Sequence, residues 1–541
     1  MKIEYQPNRY YRYDEMMELL TAWNQRYPKL TRLGSIGETY EGRAIPVLEL
    51  SEQEGIAPEK KGGYLINGNL HGGEVGGSAA VLYIINEILS QYGENPFFTE
   101  LLHDKVIYAI PRVNCDGAEV FLTTPYTLRG STRDYYPPMD GLWPEDVNGD
   151  GEILQMRIQD DNGNFKCSDI DPRLMVNRAP GEVGGTYYRV VKEGVVHGDG
   201  WDLRTVRPTK GVDPNRSFPF DWLETAPTEH GYPASGDYPL AEVEPRNLAD
   251  FVLSHPNICG IQDFHTYGGL HISPLAFYPE REPVPEDAMA IEKIAQEGAK
   301  FSGYMIHGFF PPGMTGMAHG NYVSWAYFMR GIIAWTTELW SYMREANPAL
   351  PSSWSPYFSC TSADGQEWQD LLAWDERENG GTGFTPWKPF QHPQLGTVEI
   401  GGWKRKFLLD NPPEKFLEQE CRKGAGFAYN HMAALPQLKL GKVGVKKENS
   451  VYEICAEILN TGYLPTSGSV MAQNLNRAGS VIATLLYEDG KKEVKNLGHL
   501  AGYKTVTIKW LAKAEAGQTL TLTVYADRAG MDQKKITLSE K

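Results

Sequence analysis

The sequence predicts an α/β fold, a sheet layered with helices, followed by a small all-β sandwich. Three observations carry this. Over the first two-thirds of the 541 residues, short apolar runs alternate with helical patterns, as strands and helices stacked in layers require. Several of those runs end in His, Asn, Asp or Glu, where open α/β sheets place their ligands. After Pro436 the pattern changes to short alternating runs separated by turn residues.

Taken in order, residues 13–27 read as an amphipathic helix with Met16, Leu19, Leu20 and Trp23 on one face. Residues 47–50, 64–66, 106–110, 258–264 and 332–336 read as buried strands, and 79–89 as a helix. The stretch 131–210 is polar and rich in Gly and Asp, and 348–413 is polar and rich in Trp and Pro; both read as insertions. These assignments give a layered first domain over 1–436 and a sandwich over 437–541. In the sandwich, 451–459, 481–487, 505–511 and 519–525 read as strands, with turns at Asn460-Thr461-Gly462 and Asp489-Gly490.

A net charge of −17 disfavours nucleic acid as a partner, because phosphate binding needs a basic surface. No run approaches the roughly 18 apolar residues of a membrane span, so no membrane partner is expected. Met1 to Tyr5 lack the pattern of a signal peptide, and the six cysteines stand singly. A cytoplasmic location fits these features. Nothing in the sequence sets an oligomeric state.

His71 and Glu74 stand three apart after one apolar run, and His265 follows another far downstream. Two imidazoles and one carboxylate leave a zinc ion an open coordination position, which is a catalytic layout. A lone His-x-x-Glu means little; its weight comes from the other run ends. Residues 106–110 lead to Asn114-Cys115-Asp116-Gly117, and 332–336 lead to Glu338. Asp146, Asn148 and Asp150, with Gly151, match the first half of a calcium loop, although Arg157 stands at its twelfth position where a bidentate Glu is usual. The alternative there is an Asx-rich hairpin turn.

These residues resemble the zinc carboxypeptidases of the carboxypeptidase A type, metallopeptidase family M14, from near the N-terminus to about residue 345. Ile36-Gly37-Glu38-Thr39-Tyr40-Glu41-Gly42-Arg43, the Asn114 to Gly117 turn, Arg129 twelve residues after Gly117, Gly211 to Arg216, and Gly320 through Trp325-Ala326-Tyr327 to Glu338 are similar to that family's motifs. The resemblance implies a mixed twisted sheet flanked by helices. It implies one zinc ion per chain on His71, Glu74 and His265, with Asp213 holding His71 from behind. Glu338 would be general base, then general acid, and Arg129 would stabilise the oxyanion. Asn215 and Arg216 would clasp a terminal carboxylate, Tyr267 would line the cleft, and Val323 would sit in the specificity pocket.

The implied substrate is a peptide with a free C-terminal carboxylate. Arg112 and Arg133 are alternatives to Arg129, and Glu399 is the alternative base. Gly316 stands where the family carries a mobile tyrosine, with Tyr322 and Tyr304 as substitutes from elsewhere. Gly73 stands where many members have arginine. Val323 and Ser324 supply no counter-charge for a basic side chain. Two other activities fit the same motifs: an amidohydrolase removing acyl groups from N-acyl amino acids, and a carboxypeptidase confined to murein peptides. A binding protein whose sandwich does the main work is a third class.

Overall fold

The computed structural model describes residues 4–539 apart from 136, 199–202, 207–208, 225–234, 277, 279–280, 282, 308–318, 351–364 and 450. An eight-stranded mixed sheet organises the first part. Its strands are β1 Thr31–Glu38, β2 Ala44–Leu50, β3 Gly62–Gly68, β4 Lys105–Ile110, β5 Ile258–Thr266, β6 Leu270–Ile272, β7 Met305–His307 and β8 Ile333–Leu339. The spatial order is β1-β2-β4-β3-β5-β8-β6-β7. The four central strands β4, β3, β5 and β8 run parallel.

Both faces of this sheet are covered, so the apolar residues of its central strands face both ways instead of alternating with solvent-facing ones. Tyr64, Ile66, Ile107, Phe264 and Trp335 point into one core, shared with helices Tyr13–Arg26, Val75–Gln91, Pro285–Ser302 and Glu414–Ala434. Leu65, Tyr108, Ile261 and Ala334 point into the other, under helices Val243–Ser254 and Tyr322–Arg330. The strands expected from the sequence in this sheet are present; most run longer, and the one expected at 332–336 spans Ile333–Leu339. The expected helix at 79–89 begins at Val75, directly after Glu74. Among the described residues no helix is long and apolar enough to cross a membrane.

The two polar insertions fold together. Gln155–Gln159, Phe165–Cys167, Met175–Asn177 and Tyr188–Lys192 from the first join Phe384–His392 and Gly396–Trp403 from the second in one six-stranded antiparallel sheet. The join pairs Arg157 with Glu399 and Met156 with Ile400, and Met156, Leu154, Val398 and Ile400 share a small core.

Residues 438–537 form a three-stranded and a four-stranded antiparallel sheet around one apolar core that includes Ile454, Trp510, Leu522 and Val524. Arg528 from this unit is buried in the turn between helix Tyr322–Arg330 and β8. It donates to Gly331 O at 2.7 Å, Ser467 O at 3.0 Å and Arg330 O at 2.7 Å. Gly331 has φ +61°, and a Cβ there would lie 2.4 Å from the Ala472 backbone, so only glycine fits this contact. Asp287 accepts the backbone N–H groups of Val470 and Met471, at 2.7 and 2.8 Å.

Candidate active site

Two neighbouring parallel strands, β3 and β5, deliver the metal-ligand candidates at their carboxyl ends. Beyond β3, Asn69 takes a left-handed φ of +58°, and its Nδ2 donates to His71 O at 2.5 Å and Gly72 O at 3.0 Å. A Cβ on Gly72 would sit 2.7 Å from both Gly117 Cα and Leu128 O, so the motif needs glycine for backbone approach. Glu74 then stands at the N-terminal end of helix Val75–Gln91, where the helix dipole favours a carboxylate.

His71 Nδ1 lies 2.7 Å from Glu74 Oε1, and His265 Nδ1 lies 2.7 Å from Glu74 Oε2. The two Nδ1 atoms are 3.1 Å apart. All three ligand atoms fall within 4.8 Å of one another. Two neutral-capable nitrogens and one carboxylate oxygen facing a common centre form a donor set that suits zinc. It is the only such grouping of three or more His, Cys, Asp or Glu found among the described residues.

Each imidazole is held from behind by an acid. His71 Nε2 is 3.1 Å from Asp213 Oδ1, and His265 Nε2 is 2.7 Å from Asp263 Oδ2. Asp263 also accepts from Asn67 Nδ2 at 2.6 Å, its register partner on β3. Arg129 Nε donates to Asp213 Oδ2 at 2.8 Å, and its Nη1 lies 3.3 Å from Glu74 Oε1. Burial opposes the ionised form of Asp213, but Arg129 and His71 outweigh it and hold the carboxyl well below its usual range.

Neighbouring motifs brace this arrangement. Asn114 Oδ1 caps its helix by accepting from Gly117 N, and its Nδ2 reaches Gly130 O at 2.8 Å, next to Arg129. Asp116 accepts from Thr39 Oγ1, Glu41 N and Arg43 Nη1, tying the 36–43 segment to the same turn.

Glu338 lies on β8 in register with His265 across the parallel pair. Its Oε2 is buried and has no hydrogen-bond partner among the described residues, and burial pushes its carboxyl up, to about 8, against the opposing pull of His265 and Arg129. Asn215 N donates to Asp213 Oδ1 at 2.8 Å, and Asn215 Oδ1 accepts from Tyr322 N at 2.8 Å. Arg216 Nη1 donates to Asn215 O at 2.8 Å. The Tyr267 ring, directly after β5, lies 5.7 Å from that of Tyr342.

Val323 is buried in the core with Phe218 and Trp325, and Ser324 Oγ donates to Pro274 O. Tyr304 is buried and donates to Glu420, while the Tyr322 ring is buried against Phe218 and Trp325. Gly316 lies outside the described residues.

The alternatives weighed on sequence sit elsewhere. Glu399 is on the inserted sheet, 2.8 Å from Arg157 Nε. Arg133 pairs with Glu242, and Arg112 is buried with Nη2 on Tyr11 O at 2.7 Å. The calcium reading at Asp146, Asn148 and Asp150 is not supported. Asp146 spends its carboxylate on the backbone N–H groups of Gly149, Asp150 and Gly151, and Arg157 is held by Glu399, so the loop is a self-closed Asx turn.

Sequence reasoning missed Asp263 and Asn411. Asp263 sits two residues before His265 on one strand, and i, i+2 residues share a face; that spacing was the available signal. Asn411 accepts from Gly76 N at 2.9 Å and donates to Gly73 O at 2.8 Å, bracketing Glu74. It lies 337 positions beyond Glu74 (411 − 74), with no local pattern to mark it.

Fold and donor set define an α/β protein with a three-ligand metal centre at the strand ends. A zinc carboxypeptidase family model matches residues 16–347, more than half of the chain, and the chain belongs to that family. A second model, described as a domain of unknown function, matches 437–537. Human carboxypeptidase D is 32% identical over 110 residues, 20% of this chain and 8% of that protein. Carboxypeptidase B of Astacus astacus is 24% identical over 291 residues, 53% of this chain and 70% of that protein. The chain therefore spans only 8% of the length of the carboxypeptidase D it matches. Among solved structures, thrombin activatable fibrinolysis inhibitor is similar with a TM-score of 0.45 and 17% identity, over 79% of this chain and 74% of that one.

Proposed function

We propose that this protein is a zinc-dependent metallo-exopeptidase that hydrolyses the C-terminal amide bond of peptides. The observation that carries the reading is the placement of Glu338 beside His265, at the edge of a cluster that joins His71, Glu74 and His265. Zinc held there supplies a Lewis acid that activates water and polarises the amide carbonyl. Glu338, with an unpartnered buried oxygen, takes the proton from the attacking water and delivers it to the leaving nitrogen. Arg129, next to Glu74, faces the oxygen on which negative charge develops.

Asn215 and Arg216 bind the substrate's terminal carboxylate. They follow Asp213 in one short helical turn, so the anchor for the chain end is built into the segment that holds His71. The clasp suits a peptide and an N-acyl amino acid alike, since both end in a free carboxylate; the zinc carboxypeptidase match over residues 16–347 is what supports the exopeptidase.

The test is a panel of peptides varied at the last residue, together with N-acyl amino acids, assayed with zinc and with a chelator. Release of single C-terminal amino acids, abolished by the chelator, is the expected result. Cleavage of N-acyl amino acids with no peptide cleaved would assign the deacylase activity instead.

A further inference from the structure

The two insertions enclose a cavity of about 590 Å³, within the range of small-molecule sites. Its wall carries Trp368, Trp387, Trp403, Lys192 and Arg405, with Leu409 at one end, and its described lining contains no Asp or Glu. Arg405 is paired with Asp410 at 2.9 Å, and Arg173, also in the lining, with Asp171 and Glu376, so the charge left to meet a ligand is that of Lys192 among aromatic walls, which suits an anion with a flat or apolar body. Lys192 is half-buried there and has no hydrogen bond or ion pair among the described residues. Burial, and then Arg405, pull its pKa below the usual lysine value.

One wall of the chamber runs on along the chain to a residue that brackets Glu74. The turn that supplies Arg405 and Leu409 ends at Asn411, which is bonded to Gly73 and Gly76 on either side of Glu74. A line of rings leads across: Tyr267 to Tyr342 at 5.7 Å, Tyr342 to Trp368 at 6.4 Å, Trp368 to Trp403 at 5.8 Å and Trp403 to Phe384 at 5.0 Å. Tyr267 follows His265, so this line begins at the cleft.

We infer that the chamber binds the part of a peptide substrate upstream of the scissile bond, and that it selects a carboxylate side chain next to an aromatic residue. Lys192 meets the carboxylate, and the three tryptophans stack on the ring. This rests on the exopeptidase reading for the word substrate. The site itself stands on cavity, charge and geometry.

The test uses the full-length, zinc-loaded Glu338→Gln chain and calorimetry. The probes are two pentapeptides, about 17 Å when extended, that begin Glu-Trp or Gln-Trp and are otherwise identical. The Glu-Trp peptide is expected to bind about tenfold tighter. Lys192→Gln should erase that ratio, and Lys192→Arg should keep it, which separates lost charge from lost folding. Equal affinity for both peptides, or a ratio untouched by Lys192→Gln, overturns the inference. So does equally tight binding of the free dipeptide Glu-Trp, which would make the chamber a site independent of the cleft. Failure of the exopeptidase reading looks different: binding keeps its preference while the unsubstituted enzyme cleaves neither peptide.

Discussion

Asp263 Oδ2 lies 2.7 Å from His265 Nε2, so the third ligand candidate is backed by a buried carboxylate on its own strand. His71 has the same support from Asp213, across the fold. A carboxylate behind an imidazole fixes its tautomer and rotation and makes it a stronger donor. Asp263→Asn can still bond Asn67 but no longer carries the charge. Zinc affinity, measured by chelator competition, should fall about 10- to 100-fold with the folded state retained. Unchanged affinity would show that strand geometry alone orients His265.

Glu338→Gln should keep zinc at one per chain and lose about 10²- to 10⁴-fold in kcat. Amide and carboxyl are the same shape, so the loss isolates proton transfer. Metal analysis beside single-turnover hydrolysis checks both halves. Loss of zinc in this variant would place Glu338 among the ligands instead.

Arg216→Met should raise KM for peptides ending in a free carboxylate by one to two orders of magnitude, about 1.5–3 kcal/mol of charge-assisted hydrogen bonding. Against peptides amidated at the C-terminus, the unsubstituted enzyme should be equally poor. The comparison is kinetic, peptide acid against peptide amide. A variant that still prefers the free acid by the original ratio would move the clasp to another cation.

Most of the central sheet was legible in the sequence because its strands are buried on both faces and show as unbroken apolar runs. Val106 to Ile110 is the plainest case. His71, Glu74, Asp213 and Glu338 were legible because each follows such a run or a turn motif. The inserted sheet was not legible. Its strands alternate half-exposed residues with Gly and Asp turns, and its register depends on pairing Arg157 with Glu399 across more than two hundred residues. Asn411 was hidden for the same reason: its role is set wholly by contacts distant in sequence. The edge strand β1, with Gly34 and Gly37 inside it, lacked apolar density.

Arg528 is a buried cation with no carboxylate partner among the described residues, and it donates to three backbone carbonyls between the sandwich and the turn that leads into β8. Burial pulls its pKa down to about 10, so it keeps its proton at neutral pH. Arg528→Met fills the space but takes the donor from Arg330 O and Ser467 O, at about 1–3 kcal/mol each, while Gly331 O keeps its bond from Ser469 Oγ. We expect a loss of several kcal/mol in denaturant unfolding. A lower kcat should accompany it, because β8 carries Glu338. A variant of full stability and activity would mean that the sandwich only rests on the catalytic part.

Glu244 supplies a test of the fold by pH. It is buried at the start of helix Val243–Ser254, accepts Tyr40 N at 3.0 Å, and is raised to about 7, first by burial and further by Asp116 and Glu242. A carboxyl with a raised folded pKa binds its proton more tightly folded than unfolded. Its contribution is therefore complete below about pH 4.5 and lost as pH rises through 7. Glu244→Gln keeps the acceptor for Tyr40 and removes the ionisation. At pH 8 the variant should be more stable than the parent by up to about 3 kcal/mol, from a shift of some 2.5 units at 1.36 kcal/mol each. Near pH 4 the two should unfold alike. Denaturant midpoints at both pH values decide it: a variant less stable at pH 8 would mean that the ionised carboxylate is stabilised there by a cation, and that burial does not set its energy.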